Sequence, residues 1–244
     1  MSAPPRPEPA PLTVVADVRE GEYGDKVAAV EPGGAEFIPL DERHGRPVSL
    51  LWTWISPNLE FATVFVGCLP ILFFGQSLTQ AVLAIVLGTG LGSFTQAVLA
   101  ARGPQYGVPQ MILSRIPFGF FGNALPAGLN AVVAGIGWFA VNSVSGALAL
   151  TSLLHVPAAL ALLVVTIAQI TIAFLGHNFI HFFERIAVPV LVLAFVLAAV
   201  WTLPKASFAA PAQGQGIGGF LLTLGATFGY AAGWNPYASD YTRY

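Results

Sequence analysis

Six long apolar blocks, separated by short polar stretches, occupy most of the chain beyond residue 50. Each block approaches the roughly 20 apolar residues that a helix needs to cross the hydrocarbon core of a bilayer. Between Leu51 and Tyr237 the chain places only six charged side chains. The pattern predicts an all-α polytopic membrane protein with about six transmembrane helices, near residues 51–74, 78–101, 119–150, 157–176, 184–204 and 217–238.

Composition narrows the class of protein further. Hydrophobic residues make up 55% of the chain and charged residues 9%, and the mean hydropathy is +0.72. These values favour transmembrane helices over a transmembrane β-barrel, whose strands alternate polar and apolar residues. The single cysteine, Cys68, excludes a disulfide framework and a multi-thiolate metal site. A net charge of −2 gives no indication of nucleic acid as a partner.

The first 50 residues differ from the rest of the chain. They hold 14 of the 22 charged residues and eight of the 19 prolines. We predict that residues 1–50 form a flexible N-terminal tail without chemistry of its own, and that residues 51–244 form the transmembrane domain. Residues 1–16 contain five prolines and no apolar core, which argues against a secretory signal.

Lysine and arginine predict the orientation in the membrane. Nine of the ten basic residues fall on the side of the tail, and only Lys205 falls on the opposite side. Because basic residues are enriched in cytoplasmic loops, we expect the tail and residue 244 to be cytoplasmic. The predicted location is a cell membrane, plasma or inner, which the chain crosses several times.

Two of the six blocks are interrupted by helix-breaking residues. Block one contains the run 56–58 (SPN), and block six contains the run 234–236 (WNP). Interrupted helices at corresponding positions of two repeats are typical of transporter binding sites, and blocks one and six correspond if each repeat has five helices. The alternative is a pair of ordinary proline kinks. The breakers lie beside amide and indole groups, which favours the binding site.

Two polar or aromatic residues in block three share one helix face. Trp138 and Asn142 are four residues apart, and the small Gly135 lies beside them. An indole can stack on a planar ring, and a carboxamide offers a donor and an acceptor together. The pair therefore suits a flat, neutral, hydrogen-bonding solute. An interfacial tryptophan and a helix–helix asparagine bond remain the alternative, and the spacing does not decide between them.

Glu60 is the only acidic residue between Glu42 and Glu184. An ionisable group within a membrane span is costly, which makes it a candidate for function. It could bind a cation, relay a proton or accept a structural hydrogen bond. It also lies near the start of block one, where water could reach it.

The spacing of His177 and His181, followed by Glu184, could describe half of a metal site on a helix. The chain has only four histidines, too few for the several histidine boxes of a membrane di-iron enzyme. We therefore interpret the cluster as polar and interfacial, and we expect no metal. Three glycines at 88, 90 and 92 are interpreted as small residues that let membrane helices pack closely.

Six stretches of the chain resemble one family of transporters. They are 51–58 (LWTWISPN), 103–109 (GPQYGVP), 114–119 (SRIPFG), 137–142 (GWFAVN), 228–234 (FGYAAGW) and 237–243 (YASDYTR). Spread over residues 40 to 244, these stretches resemble the nucleobase–cation symporter family 1, in particular its purine–cytosine permease branch. The resemblance implies twelve helices with a leucine-transporter-like, five-plus-five inverted repeat. It also implies import of nucleobases or related heterocycles by symport with Na+ or H+, without another cofactor.

The same resemblance implies roles for individual residues. Trp138 matches the third-helix tryptophan that stacks on the substrate, and Asn142 matches an amide-bearing position one turn later. Ser56 lies near the first-helix position that contacts the substrate. Trp234 matches the sixth-helix aromatic, which other branches carry about one turn earlier, near position 230 or 231. Glu60 remains the candidate for cation coupling, and the implied partners are the bilayer and a small heterocycle, with no protein partner.

Members of this family continue for six helices beyond the point where this chain ends. The resemblance therefore implies that the chain corresponds to a truncated half of a permease, six of twelve helices. Two alternatives from other classes stay open. One is a membrane scaffold or relic that does not transport, and the other is a membrane-bound metalloenzyme that would need more ligands than the His177 and His181 pair provides.

Overall fold

The computed structural model describes residues 26–30, 35–43, 46–207, 214 and 216–244. The remaining residues of the predicted tail, 1–25, 31–34, 44 and 45, lie outside the described part of the chain. Within the described residues the secondary structure consists of helices and turns, with no strand. The predicted all-helical class is confirmed.

Five continuous helical segments are long and apolar enough to cross a membrane. They are Leu78–Tyr106, Ala124–Leu154, Ala158–Leu175, His177–Lys205 and Gly216–Tyr237. A sixth span results if the helices before and after residue 60, which meet at an angle of 64°, are counted as one broken span. The prediction of about six membrane-crossing helices is therefore consistent with five to six candidates among the described residues.

Eleven α-helices make up these spans and their connections in the described residues. The helices of the spans are α1 (Pro47–Ile55), α2 (Phe61–Leu72), α3 (Leu78–Ala100), α8 (Phe139–Leu154), α9 (Ala158–Leu175), α10 (His177–Thr202) and α11 (Gly216–Ala232). Four short helices connect α3 to α8: α4 (Gly103–Tyr106), α5 (Gln110–Leu113), α6 (Arg115–Gly122) and α7 (Ala124–Asn130).

Both predicted interruptions are present. Between α1 and α2 the chain forms a 3-10 turn at Ser56–Asn58, and Glu60 then adopts an extended backbone with φ −142° and ψ 170°. Helix α11 ends at Ala232, and a second 3-10 turn follows at Asn235–Tyr237. Proline lacks the amide hydrogen that an α-helix needs, so Pro57 and Pro236 end the regular hydrogen bonding at these positions.

The entry to the third span is irregular, as its prolines and glycines predict. Gly119 lies within α6 with φ 72°, a left-handed conformation that favours glycine, and it bends the chain there. Between α7 and α8 the backbone is wound as a π-helix over Ala131–Trp138. Such π segments are rare and are frequent at functional sites. This one places Trp138 at its end, one turn before Asn142 in α8.

The tightest helix pair is α3 against α11. Gly88 and Gly92 of α3 are buried, and a Cβ on Gly88 would lie 2.1 Å from Thr227 Oγ1 of α11. A Cβ on Gly92 would lie 2.7 Å from the carbonyl oxygen of Phe228, whereas Gly90 faces open space. The interpretation of these glycines as close-packing residues is confirmed for two of the three, because only two face α11.

One helix start differs from the prediction. The fifth apolar block was expected near 184–204, but α10 begins at His177, seven residues earlier. Gly176 adopts φ 79° and ψ −154°, which ends α9 and turns the chain directly into α10. Residues 177–183 are thus helical although they are less apolar, because α10 packs there against α1.

Candidate functional site

A cavity of about 260 Å³ lies where the break between α1 and α2, the start of α8 and the end of α11 meet. We call it the central cavity, and its lining residues are Pro57, Glu60, Ala134, Trp138, Asn142, Tyr230, Gly233, Trp234 and Tyr237. Small-molecule sites commonly measure roughly 300–1,000 Å³. The central cavity is just below that range, so it suits a solute of one or two small rings.

The π segment and α8 bring two predicted residues to this cavity. Trp138 is 41% exposed, and the edge of its ring contacts Tyr230, with ring centroids 6.1 Å apart and an interplanar angle of 70°. Asn142 also lines the cavity and is exposed. Within the described part of the chain its carboxamide has no hydrogen-bond partner. Both its donor and its acceptor therefore remain available to a solute.

Glu60 reaches the cavity from the break between α1 and α2. The Tyr230 hydroxyl donates a hydrogen bond to Glu60 Oε1 at 3.3 Å, and it lies 2.8 Å from Thr63 Oγ1. When the tyrosine donates to Glu60, Thr63 is the donor to the tyrosine oxygen. The carboxylate is thus tied to α11 by one hydroxyl and is only partly buried. Within the described residues its other oxygen has no hydrogen-bond partner, so it can accept a hydrogen bond from a solute or coordinate a cation.

The end of α11 supplies two aromatic residues to the cavity. Tyr230 and Trp234 both line it. They are one turn apart, and α11 ends between them at Ala232. The Trp234 ring makes edge contacts with Trp54, at 5.8 Å between centroids, and with Tyr237, at 6.3 Å. The two alternative positions of the sixth-helix aromatic, 230 and 234, are therefore both occupied by rings.

Of the five predicted site residues, four meet in the central cavity: Glu60, Trp138, Asn142 and Trp234. Ser56 is not among the lining residues; its neighbour Pro57 is. The carbonyl of Ser56 accepts a hydrogen bond from the amide of Leu59 at 3.2 Å, within the 3-10 turn. Tyr237 was missed from the sequence, because only the turn at residues 235–237 brings its ring back to the cavity.

The histidine cluster is less exposed than its interpretation as an interfacial group implies. Thr53 of α1 donates a hydrogen bond to Glu184 Oε2 at 3.1 Å, and its oxygen lies 3.2 Å from His181 Nδ1. Glu184 is only 6% exposed, and the His177 ring stacks on Tyr244 with centroids 4.0 Å apart. The cluster ties α1 to α10. Among the described residues no three histidine, cysteine or acidic side chains come together as a metal site.

On the side of the tail, two of the stretches named above pack against each other. Asp240 Oδ1 accepts a hydrogen bond from the backbone amide of Gln110 at 2.7 Å. The Thr242 hydroxyl donates to the Ala100 carbonyl at 2.7 Å. A Cβ on Gly103 would lie 2.0 Å from Thr242 Oγ1. We call these contacts among residues 37–43, 100–123 and 238–244 the tail-side network.

Part of the predicted tail belongs to this network. Ile38 is completely buried, and its amide donates to the carbonyl of Gly107 at 2.8 Å. The Arg43 guanidinium donates to the carbonyls of Ile38, at 2.8 and 2.9 Å, and of Pro104, at 2.5 Å. Ile38 and Arg43 therefore contact the transmembrane domain, although their composition placed them in a flexible tail.

A known protein family matches most of the chain. The profile of a family described as permeases for cytosine/purines, uracil, thiamine and allantoin matches residues 37–244. The match begins inside the predicted tail, at the segment that packs on the tail-side network. No solved structure matches the chain.

Three curated relatives are similar over most of this chain. A putative purine-cytosine permease of Bacillus subtilis is 32% identical over 219 residues, 88% of this chain and 47% of the relative. A purine-cytosine permease of Emericella nidulans is 28% identical over 242 residues, 91% and 46% respectively. A purine-cytosine permease of Saccharomyces cerevisiae is 30% identical over 223 residues, which cover 88% of this chain and 42% of the relative. The chain thus spans about half the length of these relatives, whose names describe transporters rather than enzymes.

Proposed function

Since the chain belongs to the family of permeases for cytosine/purines, uracil, thiamine and allantoin, we propose that it carries the substrate site of a nucleobase permease of the purine–cytosine type. The observation that supports this most directly is the meeting of Trp138, Asn142 and Glu60 in one cavity. Glu60 comes from a part of the chain far from the other two, and each of the three residues offers a different interaction to a flat heterocycle.

In the proposed complex the heterocycle stacks on Trp138. Base–aromatic stacking contributes roughly 1–3 kcal/mol, and it tolerates different bases because each has a π face. The free carboxamide of Asn142 then donates to and accepts from the edge of the ring, the pairing that amides make with adenine. Glu60 accepts from ring or exocyclic N–H groups. Trp234 and Tyr230 limit the size of the ring that fits.

We assign coupling to Glu60. A carboxylate within the membrane can hold Na+ or a proton, and either would neutralise its charge before the cavity moves between the two faces of the membrane. The break in α1–α2 and the break after α11 are the discontinuous helices expected of an inverted-repeat transporter that works by alternating access. This chain would supply one half of that fold, about six of twelve helices.

The proposed location is a cell membrane, with the tail on the cytoplasmic side. The distribution of basic residues supports this orientation. The tail-side network and Arg43 would then face the cytoplasm.

The proposal is tested by uptake of labelled nucleobases. The protein is expressed from its complete genomic reading frame in cells that lack nucleobase uptake of their own. We expect uptake of cytosine or a purine, and we expect Trp138→Ala to lower it by roughly five- to 150-fold, the equivalent of the stacking energy. Trp201→Ala is the matched control, because Trp201 is 73% exposed on α10, outside the cavity lining.

Two results would contradict the proposal. Unchanged uptake in Trp138→Ala would place the substrate elsewhere. Absence of nucleobase uptake from the complete reading frame, with the protein present in the membrane, would favour the scaffold that does not transport.

A further inference from the structure

A second cavity, of about 780 Å³, lies on the side of the tail. We call it the tail-side cavity. Its walls include Leu50 and Trp54 of α1, Ser93 and Ala97 of α3, and Tyr241 beyond α11. It shares no lining residue with the central cavity. The two linings come close to each other in sequence at two places, residues 54 and 57 around the end of α1 and residues 237 and 241 beyond α11.

One indole ring from each lining contacts the other. Trp54 lines the tail-side cavity and Trp234 lines the central cavity, and the two rings touch edge to face, at 5.8 Å between centroids and an angle of 71°. Tyr241 continues the row on the tail side, at 5.4 Å from Trp54. Tyr237 continues it on the central side, at 6.3 Å from Trp234.

We propose that the Trp54–Trp234 pair is the barrier that closes the substrate site toward the tail side, and that the tail-side cavity is a second chamber for the same flat heterocycle. The inference rests on the proposed function for the identity of the solute. The barrier itself follows from the two cavities and the ring pair. In this conformation a solute in the central cavity reaches the tail-side cavity only when the rings part.

The two rings of the pair lie on elements that are anchored differently. It lies in the last turn of α1, a nine-residue helix that the 3-10 turn at Ser56–Asn58 separates from α2. Near Trp54, α1 is held to α10 by the hydrogen bonds of Thr53 to Glu184 and His181. Trp234, by contrast, follows α11, which packs tightly on α3.

The barrier can be measured by the reactivity of cysteines on either side of it. Replacing Cys68, the only cysteine among residues 1–244, and any cysteine encoded beyond them by serine gives a background without thiols. Ala134→Cys then reports on the central cavity, and Ser93→Cys reports on the tail-side cavity. A membrane-impermeant methanethiosulfonate reagent is applied to the full protein in vesicles, from the face on which a tag at residue 1 shows the tail to lie.

We expect Ser93→Cys to react from this face and Ala134→Cys to react slowly. Adding Trp54→Ala should raise the labelling rate of Ala134→Cys by roughly tenfold, since the aromatic contact and the bulk of the ring are both lost. Trp54→Phe, which keeps a ring, should give a smaller rise. Trp52→Ala is the matched control in α1: Trp52 is 40% exposed and lines neither cavity, so the rate should not change.

The proposal is overturned if Trp54→Ala leaves the labelling of Ala134→Cys unchanged, if Trp52→Ala raises it equally, or if Ser93→Cys does not react from the tail side. If Trp54→Ala does not reach the membrane, Trp54→Leu takes its place with the same expected rise. Labelling requires no transport, so its outcome is independent of the proposed function. Protection of Ala134→Cys by cytosine tests that function separately, and lack of protection would count against the substrate site while leaving the barrier as measured.

Discussion

The central cavity and the tail-side network are built in opposite ways. In the cavity, Asn142 has no partner within the described residues, and Trp138 is 41% exposed. In the network, Asn123 and Asp240 are hydrogen-bonded, and Ile38 is completely buried. Gln110 is the exception there, since its buried Oε1 lacks a partner. Polar groups that are already paired stabilise a structure, and unpaired ones are available for a ligand.

The difference separates two roles within one permease domain. The network joins three loop regions that are far apart in sequence, 37–43, 100–123 and 238–244. It therefore fixes the tail-side ends of α3 and α11 relative to each other. The cavity lies where two helices are broken. Substitutions in the network should change stability, and substitutions in the cavity should change binding and transport.

A glycine substitution in the network has one of the two largest expected effects on stability. Gly103→Ala places a Cβ 2.0 Å from Thr242 Oγ1 and 2.9 Å from its backbone, so we expect a loss of about 1–3 kcal/mol in the free energy of unfolding. Gly135→Ala, beside the cavity lining, meets nothing within 4 Å and should be neutral or slightly stabilising. The two variants are compared by their melting temperatures in detergent. An equal decrease in melting temperature would contradict the distinction between the two regions.

Each region contains an asparagine, so the same substitution can be compared in the network and in the cavity. Asn123 is 4% exposed, donates to the Met111 carbonyl at 2.7 Å and accepts from Ser114, so Asn123→Ala should lower stability by about 1–3 kcal/mol. Asn142→Ala should leave the melting temperature unchanged and weaken cytosine binding by roughly tenfold. A stability loss in Asn142→Ala with unchanged binding would instead support a structural asparagine bond between helices.

A smaller effect is expected from the link between α2, α11 and the carboxylate. Tyr230→Phe removes the hydroxyl that joins Glu60 and Thr63, while the ring beside Trp138 remains. Because the hydroxyl's bonds to Glu60 and Thr63 are both lost, we expect the stimulation of uptake by an imposed Na+ or H+ gradient to fall by about two- to tenfold. Tyr106→Phe, an exposed tyrosine in α4, is the control. An unchanged gradient dependence in Tyr230→Phe would show that the hydrogen bonds of this hydroxyl play no part in coupling.

The smallest effect is expected at Ser56. The family resemblance places a substrate contact near this residue, but the cavity is lined by Pro57 instead. We expect Ser56→Ala to change cytosine affinity by less than about twofold, as for substitutions that remove no specific contact. A larger loss would show that the 3-10 turn rotates when the substrate binds, so that Ser56 enters the cavity.

Sequence patterns predict local features of this chain well. The spans follow from apolar length, the helix breaks from proline, and the shared face of Trp138 and Asn142 from a spacing of four. Each depends on residues that are close in sequence. The packing of Ile38 under the loop at Gly107, the bond from Tyr230 to Glu60 and the early start of α10 depend on contacts between distant segments. Composition carries no information on these contacts, which is why the burial of Ile38 and the start of α10 were not predicted.

The central claim is that a nucleobase stacks on Trp138 in the central cavity. Its most direct test is equilibrium binding of labelled cytosine to the purified protein, produced from the complete reading frame. We predict that Trp138→Phe, which keeps a π face, retains most of the affinity, whereas Trp138→Ala loses roughly five- to 150-fold. Trp201→Ala should bind like the unchanged protein. Equal affinity in Trp138→Ala and the unchanged protein would contradict the account.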